Sequence, residues 1–80
     1  MNDKRLQKLE ETLGLLQKAY SELESVRDAE QEDYNNMSEH MRYSEVGETY
    51  IENAENIGSV LDDMDNIIAD LKDLLDNCLL

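Results

Sequence analysis

The chain has no proline, no tryptophan and no phenylalanine, and its only aromatic residues are four tyrosines. Without proline nothing forces a helix to stop, and without runs of alternating β-branched residues nothing favours strands. Cysteine occurs once, as Cys78, which excludes an intrachain disulfide framework and a cysteine-based metal site. Histidine also occurs once, as His40, with no second His or Cys beside it to build a metal or nucleophile dyad. No apolar run approaches the ~20 residues of a membrane span. The start, MNDKRLQKLEETLG, has no apolar core of the kind that secretion signals carry, so a reducing cytoplasm is the expected compartment.

Positive charge is the other shortage. Seven Lys and Arg stand against 20 Asp and Glu, for a net charge of −13. The imbalance is uneven: residues 1–43 hold ten acids and six bases (net −4), whereas residues 44–80 hold ten acids and one base, Lys72 (net −9). Such a chain should avoid nucleic acid and anionic membranes and should approach basic protein surfaces quickly.

Eighty residues make at most one small domain. Low mean hydropathy with high charge lies near the boundary of disorder, and here periodicity decides for order. Leu6, Leu9, Leu13, Leu16, Tyr20 and Leu23 follow a 3-4-3-4-3 spacing. Arg27 and Glu30 then interrupt the seam before Tyr34 and Met37 resume it. In the second half Tyr50, Ala54, Ile57, Leu61, Met64, Ile68, Leu71, Leu75 and Cys78 keep that spacing without a break. Asn2 or Asp3 can cap the first helix and Ser44 the second, whose first turn carries Glu45 and Glu48 where the dipole favours acids.

These signals predict an all-α fold: a two-helix antiparallel coiled-coil hairpin in one domain spanning 1–80. Helix 1 is expected over about 3–37, a turn over about 38–43 and helix 2 over about 44–78. With the turn centred near residues 40–41, position i faces about 81 − i, so Leu13 meets Ile68 and Arg27 meets Ala54. Tyr34, Tyr43 and Tyr50 are expected to cluster near the turn, beside the small Gly47 and Ala54. Arg27 and Glu30 read either as a device that sets helix register or as an opened surface, with register favoured.

One stripe is left over. Val60, Ile67 and Leu74 form a third apolar column on the second helix, and Leu15 and Ala19 widen the first. A two-helix hairpin buries two columns, not three. The extra stripe predicts an oligomer interface through Leu15, Val60, Ile67 and Leu74, most simply a homodimer that forms a four-helix bundle.

The outer face of the second helix carries the sharpest signal. Glu45, Glu48, Glu52, Glu55, Asp62, Asp73 and Asp76 recur at steps of three, four and their sums, which places them on one side. Asp63, Asp65 and Asp70 broaden that surface. From Glu45 to Asp76 is about 46 Å at 1.5 Å per residue, longer than one turn of duplex DNA at ~34 Å. The partner expected for Glu45, Glu48, Glu52, Glu55, Asp62, Asp63, Asp70, Asp73 and Asp76 is a basic protein that itself handles nucleic acid. The competing account of these acids is simple solvation of a helix back.

No catalytic constellation emerges, and no cofactor is expected. Asp62–Asn66 has the look of a calcium loop but lacks the glycine and the closing glutamate, and it sits inside the helical repeat. Met37, Met41 and Met64 read as filler, and Cys78 as a small buried hydrophobe.

Residues 28–45, DAEQEDYNNMSEHMRYSE, resemble a pattern in small acidic helical proteins of phages and mobile elements of Gram-positive bacteria. The matching parts are Glu30-Gln31-Glu32, Asn35-Asn36-Met37 and Ser44-Glu45, and Ser38 stands where that pattern carries proline. The resemblance implies a non-catalytic protein of the bacterial host cytoplasm. By analogy with anti-CRISPR proteins and DNA mimics, its role would be to bind and inhibit a defence nuclease or other nucleic-acid enzyme. The alternative is a structural coiled-coil oligomerisation module whose acidity is incidental.

Overall fold

The structure, a computed structural model, describes residues 1–79. It is an elongated helical hairpin of 59 × 15 × 13 Å. Helix α1 spans Asp3–Asn35, a single helical turn α2 spans Glu39–Arg42, and α3 spans Glu45–Leu79. The long helices α1 and α3 pack antiparallel, and α2 packs on the start of α3.

Side chains set the ends of the helices. Asn2 begins α1 by accepting from Arg5 N at 2.9 Å. α1 stops at Asn35, two residues before the expected end. There the Asn36 N–H turns back to the Glu32 carbonyl and the Met37 N–H to that of Tyr34. The expected open turn also contains an extra helical turn. Ser38 takes extended angles (φ −62°, ψ 158°) and caps α2 by accepting from Met41 N at 3.3 Å. Ser44 then does two jobs: its hydroxyl donates to the Met41 carbonyl at 2.6 Å and lies 3.5 Å from Gly47 N, whose N–H it accepts at the start of α3. No described residue has a positive φ, so this reversal needs no glycine for backbone freedom.

Gly47 is required for a different reason. A Cβ on Gly47 would lie 2.5 Å from the Met41 carbonyl oxygen and 2.7 Å from the Arg42 carbonyl carbon, and closer still to the Arg42 carbonyl oxygen. The backbone of α2 occupies the space that any side chain at position 47 would need.

The core is a single line. Gly47, Ala54, Leu61, Ile68 and Leu75, spaced by seven, are the buried residues of α3, and α1 buries none. All nine seam positions of α1, from Leu6 to Tyr34, are half-buried, as is Met37 just beyond the helix. A seam that shared burial equally would have hidden both columns of α3. Instead α3 is rotated so that one column points at α1. Its other column, Tyr50, Ile57, Met64, Leu71 and Cys78, stays half-exposed at one side. Among the described residues, Leu61, Ile68 and Leu75 are the only large buried side chains, and each contributes about 1.5–3 kcal/mol.

Among the described residues, two long-range side-chain hydrogen bonds link the helices. The Tyr20 hydroxyl donates to Asp65 at 3.2 Å, and the Asn53 amide donates to Glu30 at 3.4 Å. A strict 81 − i rule would have set Tyr20 against Leu61 and Asn53 against Asp28. Both offsets run toward the N-terminus of the reaching side chain's own helix, the direction in which helical side chains lean. The expected tyrosine cluster is not complete: Tyr34 and Tyr50 are half-buried, but Tyr43 is 79 % exposed.

Candidate protein-binding faces

The carboxylates Glu45, Glu48, Glu52, Glu55, Asp62, Asp73 and Asp76 are all exposed on the side of α3 away from the buried column. Asp63 and Asp70 are exposed as well, on the flank between that ridge and Val60, Ile67 and Leu74. Asp65 is not part of the ridge, since it lies beside the seam and accepts from Tyr20. The Tyr20 phenol is held above its ordinary pKa, first by desolvation and then by the Asp65 carboxylate.

Two cations do stand near the ends of the ridge: Arg42 three residues before Glu45, and Lys72 four before Asp76. Neither comes within 4.0 Å of a carboxylate among the described residues. The ion pairs found there all belong to α1: Lys8 with Glu11 at 3.8 Å, and Arg27 with Glu24 at 3.8 Å and Asp28 at 3.1 Å. Arg42 is half-buried at the tip, with its Nε enclosed and without a hydrogen-bond partner.

The unpaired ridge has an energetic cost. Glu45–Glu48, Glu48–Glu52, Glu52–Glu55 and Asp73–Asp76 are like charges three or four residues apart, each destabilising a helix by about 0.2–0.5 kcal/mol. The dipole favours Glu45 and Glu48 at the start of α3 but disfavours Asp73 and Asp76 near its end.

The seam interruption is resolved locally. Arg27 pairs with Glu24 and Asp28 on its own helix, while Glu30 takes the cross-helix bond from Asn53.

That bond also fixes the sides of the hairpin. Asn53 belongs to the seven-residue column that continues as Val60, Ile67 and Leu74, and Glu30 to the column that begins as Leu9, Leu16 and Leu23. Those two columns therefore share a face, and Tyr20–Asp65 marks the opposite one. Val60 is 48 % exposed, Ile67 53 %, Leu74 44 % and Leu15 68 %. A shallow groove of about 310 Å³, lined by Met1, Arg5, Lys8, Leu9 and Thr12, continues this side along α1 toward the chain ends.

No described helix is long and apolar enough to cross a membrane, and no group of three His, Cys, Asp or Glu among the described residues is placed to hold a metal ion. His40 is exposed on α2, and Cys78 is a half-buried free thiol. Comparison with known proteins returns no match: no family model, no curated protein and no solved structure aligns with the chain.

Proposed function

We propose that the protein is a non-catalytic inhibitor that binds a basic, nucleic-acid-handling protein through the outer face of α3. The observation that supports this reading is the ridge from Glu45 to Asp76, exposed throughout and met by no cation within 4.0 Å among the described residues. Repulsion along it weakens the helix and gives nothing back inside the fold, whereas a Lys/Arg groove would neutralise it.

Magnitudes limit the likeness to DNA. The seven ridge carboxylates lie along ~46 Å, or one charge per about 7 Å. Duplex DNA carries one per ~1.7 Å and a single strand one per ~3.4 Å. The resemblance is therefore of sign and length, and duplex DNA should displace the protein from a shared groove.

The test is capture from a bacterial lysate on the immobilised protein. The expected catch is a DNA- or RNA-binding protein, released by salt and by added duplex DNA. The same experiment on the Glu48→Lys, Glu52→Lys, Glu55→Lys, Asp62→Lys variant should recover none of it. Capture that survives this reversal sinks the electrostatic reading and leaves the second one, a structural coiled-coil module with incidental acidity. That second reading draws on the exposure of Val60, Ile67 and Leu74.

A further inference from the structure

The face that carries Val60, Ile67 and Leu74 is wider than the stripe the sequence suggests, because the rotation of α3 adds a half-exposed column beside it. On α3 it comprises Ile57, Val60, Met64, Ile67, Leu71 and Leu74. On α1 its neighbours are Leu9, Leu16 and Leu23, with Thr12, Ala19 and Val26 beside them. Between levels 5–26 of α1 and 57–78 of α3, these four columns hold no acidic residue, and Arg5 is their one cation. In a chain with 20 acids among 80 residues, an acid-free face across both helices is the exception to the rest of the surface.

We infer that this face is the docking surface for a second copy of the chain, forming a four-helix bundle confined to the open end of the hairpin. The size fits. Twenty-one residue steps give about 32 Å of length, and with a hairpin width of 15 Å two copies would bury on the order of 1,000 Å², the lower limit for a specific interface. The chemistry fits as well. A charged partner would find only Arg5 to pair with on this face, whereas a copy of the face offers the same apolar columns.

The rims are self-complementary. Lys8 lies on the α1 rim with Glu22, and Asp63 and Asp70 lie on the α3 rim. A two-fold axis along the helices brings Lys8 toward Asp70 of the other copy, and a two-fold axis across them brings it toward Glu22. Each copy also carries a net charge of −13, so salt should tighten the dimer rather than loosen it. The overlap ends where the polar pair Asn53–Glu30 and then Asp33 replace the apolar columns. This inference does not depend on the role of the acidic ridge, which lies on another side of α3.

The test is sedimentation equilibrium on the full chain, in 0.15 M and 0.5 M salt. The wild type should populate a dimer by 100 μM, more strongly at the higher salt. Ile67→Glu and Leu74→Glu should each weaken the dimer at least tenfold with helicity retained, because both positions are exposed in the single hairpin. Val60→Ser, which loses only exposed apolar surface, takes the place of any variant that loses helicity and should weaken the dimer in the same direction. A wild type that stays monomeric at 1 mM in 0.5 M salt overturns the inference. So does a dimer indifferent to these substitutions but disrupted by Glu52→Lys.

Discussion

The two ends of the hairpin hold together by different means. At the open end the buried column of α3 is Leu61, Ile68 and Leu75, set against the half-buried leucines of α1. At the tip the same column is Gly47 and Ala54, set against the α2 backbone, Arg27 and Glu30. One end is stabilised by burying side-chain area, the other by bringing backbones close and by serine caps. The apolar outer face follows the same division: it runs along the open end and gives way to acids and amides near the tip. Exposed apolar side chains do recur at the tip as Met41, Tyr43 and Val46, outside that continuous face.

Substitutions can break this contrast directly. The largest effect is expected from Leu61→Ala, since Leu61 is 1 % exposed and truncating such a leucine costs about 2–5 kcal/mol. A hairpin of 80 residues has only about 4–12 kcal/mol in total, so chemical denaturation should show most of the stability gone. Gly47→Ala adds volume where Leu61→Ala removes it, and both should destabilise. An added methyl that backbone atoms block should cost about 1–3 kcal/mol, and hydrogen exchange should rise around residues 39–50 while the open end stays protected. A neutral Gly47→Ala would show that the tip is not closely packed at all.

The smallest effect concerns Tyr20, which joins the two regimes. Its folded-state pKa lies above the ordinary 10.0, because desolvation and the Asp65 carboxylate disfavour the phenolate. A raised pKa means that the protonated phenol favours the fold. That contribution is fully present below the ordinary pKa and is lost as pH rises through the folded-state one. In a titration of phenolate absorbance, Tyr20 should ionise above the ordinary 10.0, and Tyr20→Phe should remove that step. Wild type and Tyr20→Phe should also converge in melting temperature above pH 10.

Much of this architecture was legible in spacing. The seam from Leu6 to Leu23 and the unbroken series from Tyr50 to Cys78 marked two long helices, and their similar length with a short connection implied the hairpin. Asn2, Ser44 and the exposed acids from Glu45 to Asp76 were visible for the same reason: each acts through near neighbours along the chain, whereas Gly47 was read only as a small residue beside the tyrosines. Less legible was the turn, where Ser38 caps an extra helical turn and Tyr43 points to solvent. Asp65 also departed from expectation: four residues after Leu61, it lies beside the seam and accepts from Tyr20, 45 residues away.

What the sequence determined by itself was the pair of rods and the sign of their outer surface, since helical periodicity is a local property and charge is carried by composition. Only the tertiary structure decided the rotation of α3 about its own axis. That rotation buries one column and releases the next, and it sets Leu9, Leu16 and Leu23 on the same side as Val60, Ile67 and Leu74. The reason is physical: rotation is set by how closely separate backbones approach, and a heptad pattern is compatible with more than one such angle.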